Sequence, residues 1–461
     1  MEKRIIWWIL CGILTHSNTF CQEILADTAF VNLVLTRNPQ VKQLLLFSKS
    51  AESEILDAKG GFDPKIYGNY DQKLFNGSQY YTEAEYGIKI PTWYGIEFKA
   101  AYLQSSGIFL NPEQKLPKSG QPVLGINFPI IQGLLFDERR AQVLKSRTLP
   151  NFYNLERQIF LNDFLLEALT SYWKWQFAHS QFKLTTDAFE TSKSRFENIR
   201  KLYVLGDRMA MDTLEAFIQV QDRLLLLNDA NQELNSAILK VNSFIFNSLT
   251  LLKPIVNSNY APTEKPIKTL ETKNETELIF NSNHLILKQY EIKLDQLAID
   301  LKLKKEKLKP KLNLSYNFLG DGFSFPSLLS DNYKWGINFS SPVLFRSERA
   351  GTQLSKIKIE TTQLQLSQKK IELENKWRNS QSEFANIAQQ LELIRSTTEN
   401  YKKLLQLEIK RFELGESSFF LINSRETKFL ESQIKLAKFQ SELQIAQIRI
   451  LNAQSTLPFS F

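Results

Sequence analysis

The sequence predicts a membrane protein of the α+β class, built from a duplicated unit in which strand hairpins are followed by a long helical hairpin. Three observations predict this fold: a strand-to-helix corner that occurs twice, helical tracts with a spacing near seven residues, and short stretches of alternating aromatic residues. The 461 residues are 43% hydrophobic and 23% charged, which is typical of a folded chain rather than a disordered one.

The duplicated corner is the clearest of the three observations. One copy, GINFPIIQGLLFDERRA, covers residues 125–141, and the other, GINFSSPVLFRSERA, covers residues 336–350. A helical tract follows each corner, and a glycine, Gly206 or Gly415, lies 65 residues after the final alanine of each copy. Such equal spacing indicates an internal repeat.

The repeat predicts how the chain is divided. We expect a first repeat at residues 22–252 and a second at residues 276–461, each in the order helix, strands, very long helix, glycine turn and helix. Residues 253–275 contain three prolines and many asparagine, threonine and lysine residues, which predicts a linker between the repeats.

The first 21 residues have the pattern of an export signal. Lys3 and Arg4 precede the apolar run 5–14, which is too short to span a bilayer as a helix. We expect cleavage after Cys21. Lipidation of Cys21 is one alternative, although Phe20 fits the small position before a lipidated cysteine poorly, and a buried N-terminal helix is another.

The helical tract of the second repeat carries an apolar seam. Successive members of the seam are three, four or seven residues apart, with one six-residue step between Ile371 and Trp377. They are Ala350, Leu354, Ile357, Leu364, Ile371, Trp377, Phe384, Leu391, Ile394, Tyr401 and Leu405. A period near seven predicts helices packed side by side over a long distance, and some 65 helical residues extend about 100 Å. In the first repeat, Pro150 is expected to break or kink the helix.

Period-two alternation predicts strands before each corner. The stretches are KIYGNYDQKLF, YTEAEYGIKI, YGIEFKAAYLQ and VLGINF in the first repeat and KLNLSYNFL and YKWGINFS in the second. Such aromatic strands suit a lipid-facing barrel wall with interfacial girdles, although a soluble sheet alternates in the same way. Pro64 and Gly125 are 61 residues apart, whereas Pro310 and Gly336 are 26 apart. The first repeat therefore holds an extra hairpin or a long outside loop.

The number of strands also predicts an assembly. Four to six strands are too few to close a membrane barrel, since closed barrels begin near eight strands. An open sheet edge is not tolerated in lipid. Several chains must therefore share one barrel in a cyclic assembly.

Several short motifs, taken in order, resemble those of the outer-membrane efflux protein family, the TolC-like channel tunnels. They are the NP pair at 38–39, Pro64 and Pro310 where helix becomes strand, the PVLF corner at Pro342, and LYVLGD and RFELGESSFF around the two glycines. The resemblance covers nearly the whole mature chain. It implies a homotrimer in the outer membrane of a Gram-negative bacterium, with one shared β-barrel continued by an α-helical barrel in the periplasm. It also implies four strands per chain, which the longer first repeat calls into question.

The resemblance further implies the function. It predicts the outer-membrane channel of a tripartite efflux or secretion system, a passive exit duct surrounded by lipid that works with a periplasmic adaptor and an inner-membrane pump. The glycine turns would then be the periplasmic tips, and we expect Leu205, Gly206, Leu414 and Gly415 to dock the adaptor. The alternative is an exported coiled-coil scaffold without a pore. The exported substrate and the class of pump stay open.

Residues beside the two glycines are candidates for a gate that narrows the tips at rest. In the family's second tip, two aspartates tend to occupy the places that hold Leu421 and Ser424 here, whereas this chain has carboxylates at the aligned places of the first tip. The gate candidates are Asp207, Arg208, Asp212, Glu215, Glu416 and Phe419. Rings of carboxylates in a symmetric pore select for cations; the alternative is that these are solvated helix charges.

Other classes of function find little support in the sequence. The net charge is +8, but lysine and arginine are dispersed among acidic residues, so no nucleic-acid partner is expected. His16, His179 and His284 are the only histidines and lie far apart, so we expect no metal site. Neither a catalytic triad nor a phosphate-binding loop is legible, and we predict neither an enzyme nor a cofactor.

Overall fold

The structure, a computed structural model, describes residues 23–245, 256, 260–263, 284–322, 324 and 332–457. The predicted signal peptide, with Cys11, His16 and Cys21, lies outside these residues, and so does most of the predicted linker.

The described part of the first repeat contains five α-helices and five β-strands. In chain order they are β1 Glu23–Leu25, α1 Asp27–Arg37, α2 Pro39–Gly60, β2 Lys65–Phe75, β3 Ser78–Pro91, β4 Glu97–Ser106, β5 Gln121–Pro129, α3 Glu138–Ser146, α4 Leu149–Val204 and α5 Ala210–Ile245.

The described part of the second repeat is shorter, and a strand from the linker region precedes it. The elements are β6 Tyr260–Pro262, α6 Leu285–Glu306, β7 Lys311–Leu319, β8 Tyr333–Ser340, α7 Arg346–Glu413 and α8 Phe419–Ala453. The order of helix, strands, long helix, turn and helix is thus the same in both repeats, as predicted.

The long helices differ between the repeats in one respect. The 68-residue α7 is unbroken and extends about 100 Å. The corresponding tract of the first repeat is interrupted between α3 and α4, and Pro150 lies in the first turn of α4, where a missing backbone N–H costs nothing. The predicted break is confirmed.

Side-chain caps set the start of several helices. Asn38 lies directly before Pro39, the first residue of α2, and its side-chain oxygen accepts a hydrogen bond from the Gln40 N–H. Asp137 caps α3 in the same way through the Arg140 N–H, and Ser418 caps α8 through the Leu421 N–H. Each cap satisfies a donor that the helix leaves unpaired.

Six strands form one antiparallel sheet in the order β2-β3-β4-β5-β7-β8. The first repeat contributes four of them and the second contributes two, and β5 pairs with β7 where the repeats meet. Asn76 and Gly77 have φ angles of 50° and 72°, which suit the tight turn between β2 and β3. Of the two alternatives for the longer first repeat, the structure therefore has the extra hairpin.

The helices stand side by side as a layer four helices wide. Near the sheet, the helices lie across the layer in the order α2, α3, α6, α7, each packed against the next. Farther from the sheet, the order across the layer is α5, α4, α8, α7. The apolar seam of α7 changes neighbours along its length. Leu354 and Ile371 are exposed near the sheet, whereas Trp377 is buried. The six-residue step between Ile371 and Trp377 marks this change.

The largest core lies where α1, α4, α5 and α8 meet. The YWKW segment of α4 places Tyr172, Trp173 and Trp175 in it, fully buried. Beside this core, β1 and β6 form a parallel pair that the sequence did not predict. The hydroxyl of Tyr172 donates to the Leu25 carbonyl at 2.6 Å and accepts from the Thr263 N–H at 3.1 Å. Residues 260–263, predicted as part of a linker, are therefore docked on the helices.

Candidate functional site

The strand register separates the side chains of the sheet into two faces. On one face, apolar and aromatic residues lie opposite one another: Ile66 and Ile88, Tyr86 and Tyr102, Ile126 and Tyr316, Tyr316 and Trp335, Leu312 and Phe339. Many of these side chains are exposed. A broad exposed apolar surface is unusual in water, and alternation of this kind is typical of a wall that faces lipid.

The opposite face of the same sheet is mainly polar and charged, with a few apolar residues such as Val123 and Leu319. Lys65 lies opposite Lys89, and Lys89 lies opposite Lys99 on the next strand. The ammonium group of Lys99 is 2.6 Å from the Glu85 carboxylate, which also accepts a hydrogen bond from the Tyr67 hydroxyl at 2.5 Å. One aromatic face and one charged face are what a barrel with a water-filled interior requires.

The two helical hairpins end in the same turn. Gly206 and Gly415 have φ angles of 85° and 77°, a conformation that favours glycine. The N–H after each glycine donates to a carbonyl five residues back, Asp207 to Leu202 and Glu416 to Arg411, at 2.9 Å in both cases. This pattern closes the last helical turn. The predicted glycine-dependent turns are confirmed.

Each turn presents an exposed apolar side chain. Leu205 is 73% exposed and Leu414 is 75% exposed, and apart from the adjoining residues no atom lies within 4 Å of the position that a Cβ would occupy on Gly206 or Gly415. Both tips thus combine an accessible backbone with apolar area. Docking of an adaptor there remains a prediction.

The two tips contact each other within one chain. The guanidinium of Arg208 lies over the Phe412 ring, 4.3 Å from its centroid. Glu215 accepts a hydrogen bond from the Asn423 side chain at 3.2 Å. Asp207 and Glu416 are exposed, and Asp212 is half-buried.

Phe419 has a different position from the other gate candidates. It is 3% exposed and packs in a small cluster with Ile199 and Ala216, between the two hairpins. The next residue, Phe420, is exposed. In this conformation Phe419 therefore holds the hairpins together from inside the chain and has little surface with which to narrow a pore.

Sequence reasoning missed the polar contacts that join the hairpins behind the tips. Arg195 of α4 forms an ion pair with Glu426 of α8, and Arg223 of α5 donates to the Thr427 hydroxyl at 2.8 Å. A further polar contact lies within the second hairpin, where buried Glu408 accepts a hydrogen bond from Ser417 at 2.6 Å.

A signal for these contacts exists in the sequence. Ala216, Arg223 and Ala230 are spaced by seven residues, and all three are buried. A charged residue at a repeating core position indicates a buried polar interaction. Arg223 is 4% exposed, and burial lowers the pKa of its guanidinium, while Glu426 and Asp222 partly offset that effect.

Metal sites and membrane-spanning helices are absent from the described residues. Among them, no three histidine, cysteine, aspartate or glutamate side chains are grouped as a metal site requires. Within the same part of the chain, no helix is long and apolar enough to cross a membrane. His284 instead caps α6, because its Nδ1 accepts a hydrogen bond from the Ile286 N–H at 3.2 Å.

Comparison with known sequences supports the resemblance. Residues 281–454 match the family model "Outer membrane efflux protein", which covers most of the second repeat. A search of curated proteins finds no match to the chain.

Comparison with solved structures establishes the fold. The Campylobacter jejuni CmeC outer membrane channel has a TM-score of 0.70 at 13% identity, covering 93% of this chain and 85% of that one. The Neisseria gonorrhoeae MtrE outer membrane channel, in its open state, gives 0.68 at 11% identity and covers 93% and 88%. The Vibrio cholerae outer membrane protein VceC gives 0.66 at 11% identity and covers 93% and 95%. The fold predicted for the chain, strand hairpins followed by a long helical hairpin in two repeats, is therefore confirmed over nearly the whole chain, whereas the shared trimeric barrel stays a prediction.

Proposed function

Since this chain carries the outer membrane efflux protein domain in its second repeat and the fold of outer-membrane channels over nearly its whole length, we propose that it is the outer-membrane channel of a tripartite efflux or secretion system. It is a passive exit duct from the periplasm to the outside. A channel of this kind is not an enzyme, and no reaction is assigned to it.

The observation that carries the proposal is the two-faced sheet joined to a layer of long helices. The aromatic face suits lipid, and the charged face with Lys65, Lys89 and Lys99 suits a water-filled interior. The sheet is continuous with helices that extend about 100 Å beyond it. The alternative of a coiled-coil scaffold without a pore is not favoured, because it leaves the exposed aromatic face without a role.

The unpartnered edges of the helical layer support assembly of several copies in a ring. Near the sheet, α2 and α7 form opposite edges. Leu45 and Leu56 are exposed on α2, and Leu354 and Leu364 are exposed on α7. Contacts between two different edges are head-to-tail, and they close into a ring when the rotation between copies fits. The resemblance to outer-membrane efflux channels implies three copies in that ring, a homotrimer.

The partners of the duct meet it at the tips. Exposed Leu205 and Leu414 offer apolar area to a periplasmic adaptor, and the bare glycine backbone beside each leucine lets a partner helix approach. The adaptor in turn connects the duct to an inner-membrane pump, which supplies the energy.

Two measurements test the proposed function. The full-length chain is expressed in a Gram-negative host, and the outer membrane is extracted in mild detergent and analysed by gel with and without heating. We expect a heat-sensitive trimer that forms ion-conducting channels in planar bilayers. The proposal is contradicted if the protein is a soluble filament, or if the detergent-extracted protein conducts no ions. Either result favours the coiled-coil scaffold without a pore.

A further inference from the structure

The extra hairpin changes the barrel that the chains can form. We infer that β2 pairs with β8 of a second copy of this chain, so that each protomer contributes six strands and the closed trimer has an 18-stranded barrel. This inference rests on the proposed function, because it takes the outer-membrane trimer as its starting point. A wall of four strands per chain, the number the family resemblance implies, would leave β2 and β3 outside it.

The first argument is that β2 and β3 have the same two faces as the other four strands. Ile66 and Tyr70 of β2 lie on the aromatic face, and both are strongly exposed. Asn69 and Asp71 lie on the polar face, opposite Glu85 and Glu83. A hairpin that lay outside the wall would have no reason to continue both faces in register.

The second argument is length. β2 has 11 residues, β3 has 14 and β4 has 10, whereas about 9–11 residues span a membrane as a tilted strand. The hairpin turn at Asn76–Gly77 is tight, so β2 and β3 run the full height of the sheet together. The added strands are long enough to be part of the membrane wall.

The third argument concerns the sheet edges. Among the described residues, β2 and β8 each pair on one side only. An unpaired edge is not tolerated in lipid, so both edges need a partner. In an antiparallel sheet of six strands the first and last run in opposite directions. The β2 of one copy therefore meets the β8 of the next in antiparallel orientation, the arrangement already present throughout the sheet.

The fourth argument is the match between strands and helices. With strands about 4.8 Å apart and tilted by about 40°, an 18-stranded barrel has a circumference of about 110 Å. Twelve helices, four per chain at every level of the layer, packed about 9–10 Å apart, also give about 110 Å. The barrel can thus continue the helical layer without a change of width. Twelve strands at the same tilt give only about 75 Å.

The pairing across copies is restricted further by the two faces. On β2 the even-numbered residues Ile66 and Tyr70 face outward, and on β8 the odd-numbered Trp335 and Phe339 face outward. A one-residue slip would exchange the lipid and water faces of a strand. Odd-numbered residues of β2 therefore lie opposite even-numbered residues of β8.

Disulfide cross-linking tests the pairing in the full chain. Its cysteines are Cys11 and Cys21, so introduced thiols report alone if the predicted signal is removed. Asn69→Cys on the polar face of β2 is combined in turn with Lys334→Cys, Gly336→Cys and Asn338→Cys on the polar face of β8, which scans the register. Asn69→Cys with Ile337→Cys is the wrong-face control. Leu103→Cys on the polar face of β4 is combined with the same three β8 substitutions. Cross-links from these pairs are expected if each chain contributes only four strands, because β4 would then pair with β8 of the next copy.

After oxidation in outer membranes, non-reducing gels of heated samples measure covalent dimers and trimers. We expect at least one Asn69 pair to give ten times more cross-linked product than either single-cysteine variant, and the wrong-face pair to give none. Cross-linked product from the Leu103 pairs overturns the inference. So does the absence of cross-linked product from all Asn69 pairs, provided that the protein still migrates as a trimer before heating. If the unsubstituted chain is not a trimer in mild detergent, the proposed function itself fails.

Discussion

The guanidinium of Arg208 lies 4.3 Å from the centroid of the Phe412 ring, and this contact joins the turn of the first hairpin to the last helical turn of α7. Both tips have the same glycine-dependent geometry, yet they take different parts in this contact: the first tip supplies the arginine after its glycine, where the second tip has Ser417, and the second tip supplies the ring. The duplicated turns are thus complementary rather than merely repeated. A contact of this kind couples the positions of the two hairpins in one chain.

The first prediction concerns this contact. Replacing Arg208 with alanine removes a cation–π interaction that is typically worth about 0.5–1 kcal/mol at an exposed site, and a symmetric trimer loses three. We expect the tips to separate more readily, so that single-channel conductance in planar bilayers rises. Phe412→Leu, which keeps apolar bulk but removes the ring, should have a similar effect.

A matched control separates the contact from the charge. Arg200→Ala removes the same charge from an exposed position near the end of α4, and we expect it to leave the conductance unchanged. Equal conductance in all three variants and the unsubstituted protein would place the constriction elsewhere, with exposed Phe420 as the next candidate.

The second prediction concerns the carboxylates of the first tip. Asp212 is half-buried with no partner identified among the described residues, whereas Glu215 accepts a hydrogen bond from Asn423 on the other hairpin. If both carboxylates face the pore, Asp212→Asn lowers the preference for cations, because each ring of three charges contributes to selectivity. Glu215→Gln should lower the preference and also raise conductance, because it weakens a link between the hairpins.

Reversal potentials in a salt gradient measure the cation preference of each variant. Asp222→Asn, on the same helix but about three turns farther from the tip than Asp212, serves as the control for a general change of charge. Identical reversal potentials for Asp212→Asn and the unsubstituted channel would mean that this carboxylate is a solvated helix charge.

The third prediction separates charge from shape at the second tip. Gly415 has a φ angle of 77° and an open surrounding, and aspartate and asparagine tolerate this conformation better than other residues. Both Gly415→Asp and Gly415→Asn should therefore keep the turn and the trimer. We expect the aspartate variant to abolish export and the asparagine variant to retain most of it.

The comparison between the two variants is the informative measurement, made as substrate accumulation in cells together with trimer content on unheated gels. If both variants lose export to the same degree, bulk rather than charge blocks the docking of the adaptor. Loss of the trimer in either variant would make Gly415 a structural residue rather than part of a docking surface.

The duplication and the strand order of each repeat could be predicted because they depend on local patterns. The corner motif, the alternation before it and the glycine after it each act over a few residues, and the structure follows them closely. The break before Pro150 is of the same kind, since proline lacks the N–H that a helix interior requires.

The contacts between hairpins could not be predicted in the same way. Arg195 and Glu426 are 231 residues apart in sequence, and which helix faces which depends on the packing of the whole layer. The parallel pair of β1 and β6 was missed because each strand has only three residues, too few for a period to be visible. Phe419 was placed at the gate by its distance from Gly415, whereas its orientation into the chain depends on Ile199 and Ala216 of the other hairpin.

The last prediction concerns the pH dependence of the helical layer. His284 is buried at the start of α6, and its Nε2 lies 3.0 Å from the Ser455 hydroxyl. The pKa of His284 is lowered to about 4, mainly by burial and in smaller part by the nearby Lys376, whereas a hydrogen bond with the Ala453 backbone and the Asp163 carboxylate oppose the shift. In the unfolded chain a histidine has a pKa of about 6.5.

Between pH 6.5 and pH 4 the unfolded state therefore binds the proton while the folded state does not. Stability rises with pH wherever the unfolded state binds more protons, so acidification through this window lowers the free energy of unfolding, by up to about 3 kcal/mol per chain. Above pH 6.5 the side chain is neutral in both states and the penalty is absent.

The variant His284→Asn tests this expectation, because asparagine is a strong helix cap and does not titrate. We expect its free energy of unfolding to fall less between pH 6.5 and pH 4 than that of the unsubstituted protein, measured by denaturant titration of tryptophan fluorescence in detergent at fixed protein concentration. His179→Asn, on the interior of α4, removes the other described histidine and should keep the original pH dependence. If His284→Asn and the unsubstituted protein lose stability equally on acidification, the destabilising protonation takes place at another group, and the cap at the start of α6 is insensitive to pH.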